Sequence, residues 1–336
     1  MNPNDYKQTK LELTEGDYRV LEVIGDFVPD NVFDAHAHLN PPGGLSNEQQ
    51  TYETYREWMG PLLGNPSNIR LNALAEVTGP RATSIEGRRE INEYLCDQLV
   101  KAPNCVGSAF FGPEETEEQI AEMLSRPRMV GIKCYATTTT NPNRNAVAIG
   151  DFLSEAQWTV ANQLKRPICL HMMRPKALSD PDNLAYIQKM TARYPDAKLV
   201  LAHCARGFAG WNTIEAIDKI AHIDNVWYDI SAICEVGTIA STIMRTAGKK
   251  VMWGSDFPVC KYRGCSLSMG DSFLWITGAT YATLEPTLEE KGLKPCLYTL
   301  QTMLAFKQTA TLLNLDRTQV EDIFYNNAMN LYGLKD

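Results

Sequence analysis

Histidine is scarce in this chain, five residues in 336, yet two of the five stand one residue apart in the segment 32–40, VFDAHAHLN. Two more, His171 in PICLHMM and His203 in KLVLAHC, end short apolar runs, as do Lys133 in MVGIKC and Asp256 in VMWGSDF. Imidazole nitrogen and carboxylate oxygen are ligands for zinc, and also for iron, manganese or cobalt. Singly, each residue has a quieter reading: a hydrogen-bonded core histidine, a lysine snorkelling from a strand end, an aspartate capping a turn. Gathered in one place, His36, His38, His171, His203, Lys133 and Asp256 would be costly to desolvate without a cation. A divalent ion resolves that conflict, and it would lower the pKa of a bound water from about 15.7 toward about 7 and polarise a carbonyl.

Whether they meet depends on the elements that carry them. Eight short β-rich runs recur, at 31–38, 69–77, 105–112, 129–136, 167–173, 198–204, 225–231 and 251–257, with helical periodicity between most of them, as in SIEGRREINEYLCDQLVKA and PDNLAYIQKMTARY. Alternating strand and helix implies parallel strands joined by right-handed crossovers. Eight units predict an α/β fold, a single-domain (β/α)8 TIM barrel over 31–336, with residues 1–30 as an N-terminal extension packing on it. His171 to His203 spans 32 residues and His203 to Asp256 spans 53, about one and two βαβ units of roughly 30 residues. An open doubly wound sheet is the alternative, but no Gly-rich phosphate turn follows the first strand. Side chains two apart share a face of a strand, so His36 and His38 point the same way unless the strand bulges. The same parity places Asp34 below His36, Gly131 below Lys133, Cys169 below His171 and Gly254 below Asp256. Segments 40–67 and 258–290 are longer than a minimal barrel needs and should rise over the C-terminal face. LQTMLAFKQTATLL and QVEDIFYNNAMNLYGL read as helices closing the outer ring.

Composition narrows the partners. With 44% hydrophobic residues and a net charge of −8, the chain can bury a large core, and it lacks a basic block for nucleic acid or an anionic membrane. No stretch approaches the about 18 consecutive apolar residues of a membrane span. No leader pattern opens the chain and its nine cysteines form no tight framework, so a cytoplasmic location with reduced thiols is expected. A small-molecule substrate is the expected partner, and self-association into a homo-oligomer stays open.

The motifs DAHAH, GIK, LHMMRP, LAHCARG, WGSDFP and IFYNNAMNLYGL, taken in strand order from about residue 32 to the end, together resemble the amidohydrolase superfamily, in its amidohydrolase-related branch without a flanking β-sandwich. The resemblance implies that His36, His38, His171 and Asp256 bind metal. It also implies that His203 binds a second metal or polarises the substrate. A strand-four lysine is carboxylated and bridges two metals in binuclear members, so Lys133 is either carboxylated or aimed at the substrate. Zinc, one ion or two, is the expected cofactor.

The catalytic residues expected on this basis are Asp256, taking a proton from water and passing it to the leaving group, and His203, stabilising an oxyanion. Asp34 is a candidate acceptor for a ligand imidazole N–H, or a buried carboxylate meeting backbone amides. Arg174 and Arg206 each follow a candidate ligand histidine by three residues and begin βα loops, which makes them candidates for binding a substrate carboxylate, joined by Tyr135, Arg81 and the KYRG segment (261–264). The leading activity is metal-dependent hydrolysis of a lactone, amide or ester. Non-oxidative decarboxylation of an aromatic or muconate-type acid at a mononuclear site is the alternative, and a non-catalytic binding protein is the third.

Overall fold

The computed structural model describes residues 10–44, 48–277, 290–292 and 294–335. Strands β1 (Asn31–His38), β2 (Asn68–Leu74), β3 (Val106–Phe110), β4 (Met129–Cys134), β5 (Pro167–Leu170), β6 (Lys198–Leu201), β7 (Val226–Asp229) and β8 (Val251–Met252) pair in parallel in chain order. Backbone bonds close the ring between the first and last strands: Ala35 N donates to Trp253 O (3.0 Å), Asp256 N to His36 O (2.8 Å) and His38 N to Phe257 O (2.7 Å). The protein is therefore the (β/α)8 barrel expected, and the open sheet is excluded.

Both faces of these strands are covered, which explains runs such as PICL and VWYD that are buried at every position. The helices start where the sequence supplies caps. Asp180 accepts from Asp182 N and Asn183 N, both at 3.1 Å, ahead of Pro181 at the first position of Pro181–Arg193. Ser84 caps Ile85–Lys101 through Gly87 N at 3.1 Å. Each such cap contributes about 1 kcal/mol. The N-terminal helix Glu15–Ile24 is tied down by its buried Asp17, which accepts from Leu297 N (2.8 Å) and pairs with Arg263.

Three departures from the sequence reading affect the site. First, β1 bulges: Asp34 pairs with Leu71 but Ala37 with Ala73, so the strand carries one residue more than its partner. The extra residue turns Ala35 inward, beside Phe33, Val130 and Met252, and Asp34 sits against Tyr55 instead of below His36. Second, β5, β6 and β8 end at Leu170, Leu201 and Met252, short of His171, His203 and Asp256. Those three side chains are aimed by loop backbone, not by strand parity. Third, QVEDIFYNNAMNLYGL does not join the outer ring. Its Tyr325, Ala328, Met329 and Tyr332 pack on Phe33, Val106, Val200 and Trp227 to form the floor of the barrel. Phe33 and Tyr332 stack at 5.5 Å. Trp227 thus faces inward, whereas Trp253 packs outward on Phe324. A π-helical turn at Asp322–Asn326 leaves Ile323 O free to accept from Trp253 N at 2.8 Å.

Of the two long segments over the C-terminal face, the first contains the helix Tyr52–Leu62. The second, expected as an aromatic loop, begins as an antiparallel hairpin, β9 (Cys265–Met269) and β10 (Ser272–Ile276). Residues 278–289 of that segment, and 45–47 of the first, lie outside the described residues. Among the described residues no helix is long and apolar enough to cross a membrane.

Candidate active site

A cavity of about 120 Å³ opens at the C-terminal end of the barrel. His36, His38, Lys133, His171, His203 and Asp256 all line it, so the six residues separated by up to 220 positions do meet. One donor atom from each of His36, His203 and Asp256 lies within 4.8 Å of the others. The ring centroids of His36 and His203 are 4.8 Å apart, and those of His171 and His203 5.0 Å.

Close packing makes this convergence possible. Gly254 is tight: a Cβ there would come within 2.8 Å of His36 Cβ and 3.1 Å of Ser231 Cβ. His203, Cys204, Ala205 and Arg206 have φ of 56, 48, 63 and 58°, four successive residues in the left-handed region with no glycine among them. That conformation costs about 1–2 kcal/mol per residue. The turn is held by a backbone bond from Gly207 N to His203 O at 2.7 Å and by His203 N donating to Asp229 Oδ1 at 3.0 Å. Asp256 also has positive φ, 56°. Such strain clusters where a surrounding framework enforces it.

The hydrogen bonds fix which imidazole nitrogen is free. His38 Nδ1 is 2.9 Å from Ala75 O, and His203 Nδ1 is 2.9 Å from Ser231 O. A carbonyl only accepts, so Nδ1 carries the proton and Nε2 presents its lone pair. His36 Nδ1 is 2.9 Å from Asp229 Oδ2, with the same result. Burial, reinforced at His36 and His38 by the charge of Lys133, lowers the pKa of both well below the usual histidine value. Burial, with His36 next, lowers that of His203 to about 3. Burial and His203 depress His171 too. Neutral imidazoles are the ligand form.

Asp256 completes the donor set. Its Oδ1 is 3.5 Å from His36 Nε2, close to the donor separation of about 3.3 Å that a tetrahedral ion with bonds of about 2.0–2.1 Å requires. Burial pushes its pKa well above the usual carboxylate range, and Lys133 only partly opposes this. The carboxyl therefore needs more positive charge than the chain supplies. The donors fit a divalent metal.

Lys133 is buried, with Nζ 3.3 Å from His36 Nε2 and 3.5 Å from Cys169 Sγ, its register partner on β5. Burial pulls the lysine pKa down, but Cys169, Asp229 and Asp256 outweigh it and the net shift is upward. Asp34 does not reach an imidazole. It accepts from His36 N and Ser255 N, both 3.0 Å, and from Tyr55 Oη at 2.9 Å, the backbone-amide role. Burial nevertheless raises its pKa to about 6.

Asp229 was not picked out by the sequence reading, although it ends β7 as the other polar residues end their runs. It shares the inward parity of Trp227, two positions earlier.

The candidate substrate residues separate. Tyr135 lines the cavity, its ring 4.8 Å from His171. Arg206 is largely buried, and burial lowers its pKa. Its Nη1 donates to Arg174 O at 3.1 Å and its guanidinium stacks 5.3 Å from the Phe273 ring. Arg174 itself pairs with Asp180 (2.9 Å) and Asp182 (2.6 Å), and both arginines lie outside the cavity lining. Arg81 is occupied by Pro42 O (2.5 Å) and Glu76 (3.4 Å), and Lys261 by Gln50 (3.0 Å). Phe208 and Trp275 roof the cavity, 4.9 Å apart, with Phe208 also 5.1 Å from His203. His222 is exposed and does not line the cavity.

A family model described as amidohydrolase matches residues 33–334. The chain belongs to that family and is an enzyme of the amidohydrolase superfamily. Solved structures share the fold at low identity. An amidohydrolase from Burkholderia multivorans with bound zinc is 13% identical, with TM-score 0.58, over 91% of this chain and 100% of that one. A 2,6-dihydroxybenzoate decarboxylase complexed with 2,6-dihydroxybenzoate is 11% identical, with TM-score 0.57, over 90% and 99%. A probable 2-pyrone-4,6-dicarboxylic acid hydrolase from Acinetobacter baumannii with citric acid bound is 14% identical, with TM-score 0.56, over 90% and 100%. No curated protein sequence matches this chain.

Proposed function

We propose that the protein is a metal-dependent hydrolase that opens a lactone, amide or ester bond in a small carboxylated molecule. The observation that carries this reading is the buried His36–His203–Asp256 donor set in a narrow cavity, with the charge of Arg206 acting on Tyr135 and His171 of its wall. His36, His38, His171 and Asp256 would hold zinc, with His203 and Lys133 beside them. When bound, the ion supplies Lewis acidity toward a carbonyl oxygen and acidifies water. Asp256 takes the proton at its carboxylate and returns it to the leaving group. His203, whose Nδ1–H is held by Ser231 O, presents an Nε2 lone pair and would serve as a further ligand beside His36 and Asp256. Arg206 and Tyr135 take the substrate carboxylate, and Phe208 and Trp275 exclude bulk water.

Decarboxylation of a flat conjugated acid is the second reading, favoured by the ring-lined walls formed by Tyr135, His171, Phe208 and Trp275. Zinc-reconstituted protein assayed against carboxylated lactones and aromatic acids separates the two. Hydrolysis of a lactone releases one proton per turnover and no carbon dioxide, whereas decarboxylation consumes a proton and releases carbon dioxide. Turnover of neither class, at any zinc loading, overturns both. Elemental analysis decides the role of Lys133: two ions per chain go with a carboxylated lysine, one ion with an ammonium directed at the substrate.

A further inference from the structure

We infer that Asp229 is the positioning residue of this site, setting the tautomer of His36 and the left-handed turn that carries His203 and Arg206. The inference rests on the metal-site reading above, and it follows from how the two oxygens of one buried carboxylate are divided. Oδ2 faces His36 Nδ1 at 2.9 Å. Oδ1 takes three donors: His203 N at 3.0 Å, Ser231 N at 3.1 Å and the Ser231 hydroxyl. Ser231 in turn meets His203 Nδ1 through both its carbonyl and its hydroxyl oxygen, each at 2.9 Å. The carboxylate therefore reaches one imidazole directly and the other by way of Ser231.

Two consequences are specific to this geometry. His38 and His203 have their Nδ1–H held by backbone carbonyls, which no side-chain substitution removes. His36 depends on a side chain. Lys133 Nζ, a donor 3.3 Å from Nε2, favours the same tautomer from the other side of the ring, and Asp229 supplies the acceptor at Nδ1. Second, the turn from His203 to Arg206 holds four residues in a conformation that L residues avoid. The amide of its first residue is anchored on Asp229, so the same carboxylate steadies His203 and the cation three residues later.

In Asp229→Asn the amide oxygen will stay with the three donors on the Oδ1 side, because only an acceptor satisfies them. The amide nitrogen then faces His36 Nδ1. A donor there leaves His36 between two donors, the amide at Nδ1 and Lys133 Nζ at Nε2, which one neutral imidazole cannot satisfy together, so the ring either moves its proton to Nε2 or loses its hold at Nδ1. A comparable wrong-tautomer effect follows the same substitution in the serine protease triad.

The test uses full-length protein labelled with ¹⁵N at histidine, with metal removed by chelator, followed by zinc titration against a competing chelator. In the metal-free wild type, His36 should show a protonated Nδ1 and an unprotonated Nε2. In D229N His36 should lose that fixed assignment, its two nitrogen signals moving toward one another or exchanging, and His38 should stay unchanged. Zinc affinity should fall about 10–100-fold, the range for loss of a carboxylate behind a ligand histidine. Wild-type His36 protonated at Nε2 overturns the inference without any variant, so a D229N protein that fails to fold does not protect it. Unchanged His36 signals in folded D229N, or zinc affinity within twofold of wild type, also overturn it. Failure of the wild type to bind zinc while His36 behaves as stated would reject the metal reading and leave the assignment of Asp229 intact.

Discussion

The two ends of the barrel solve opposite problems with the same eight strands. At the N-terminal end, Phe33, Val106, Val200 and Trp227 meet Tyr325, Met329 and Tyr332 of the last helix, and the interior is filled by apolar packing. The polar Asn72 there is matched: its Nδ2 donates to Tyr332 Oη at 2.9 Å and its Oδ1 accepts from Ser108 Oγ at 2.9 Å. At the C-terminal end, four imidazoles, a lysine and an aspartate are gathered around a cavity, on backbone held in the left-handed region at His203 to Arg206 and at Asp256. One end lowers the free energy of the fold; the other stores strain and depressed or raised pKa values. The contrast teaches that stability and chemistry are separable along the barrel axis.

Breaking the contrast from the top should have the largest effect. Asp256→Asn is expected to lower kcat/KM by about 10³-fold or more, as for loss of a group acting on charge in the transition state. The melting temperature of the metal-free variant should match or exceed that of the wild type, because a carboxyl resisting ionisation is replaced by a neutral amide. A calorimetric scan in chelator beside steady-state kinetics checks both. A metal-free variant several degrees less stable would deny the separation.

From the bottom, Phe33→Ala should cost about 3–5 kcal/mol, the usual loss for truncating a buried aromatic ring. Activity per folded molecule should be unchanged. Urea unfolding, with turnover measured in the folded baseline, reads both quantities. A large loss of turnover there would show that floor and mouth are coupled.

A smaller effect distinguishes the two arginines at the rim. Arg206→Ala should raise KM by about 10–100-fold, as for losing a charge-assisted contact, with metal content unchanged. Arg174→Ala, already satisfied by Asp180 and Asp182, should change KM by less than about threefold. Equal KM for both variants and the wild type would remove the anionic-substrate reading.

The least dramatic expectation concerns acid. The pKa of His203 is depressed to about 3 when folded, from 6.5. An unfolded chain therefore binds more protons at this residue between those values, and the contribution of His203 to stability is full above about pH 6.5 and lost as pH falls toward 3. Asp34 has the opposite sign: raised to about 6 from 3.8, it favours the folded state most below 3.8, and that contribution is lost as pH rises through 6. Subtracting the stability of His203→Gln from that of the metal-free wild type isolates the histidine. The difference should decline as pH is lowered from 6.5 to 4, and a difference that is flat across this range would contradict the depressed pKa.

Much of this was legible in the sequence, and the limits are instructive. Strand β1 has the predicted bounds, 31–38, and all six clustered polar residues line the cavity. Parity failed at Asp34 because a bulge adds one residue to β1 against β2, and a bulge is a relation between two strands that neither sequence displays alone. It did not apply at His203 and Asp256, which lie past the ends of their strands. Asp229 was passed over because an acid among VWYDIS has no meaning until His36, 193 positions away, is brought to it. The hairpin of Cys265–Met269 with Ser272–Ile276 is hidden in the sequence because serines interrupt its apolar run, and the structure alone shows that it carries Trp275 into the cavity lining.

What the sequence determined by itself is the alternation of apolar runs and amphipathic helices, hence the barrel, and the polar residues at the ends of those runs, hence the kind of chemistry. These are local properties: strand burial and helix periodicity are written in neighbouring residues. What only the tertiary structure decided is the orientation of each group. Which histidine nitrogen is free, which arginine is already paired and which carboxylate stands behind His36 all depend on contacts between segments far apart in the chain. Hydrogen bonds act over about 3 Å, a scale on which sequence separation carries no information.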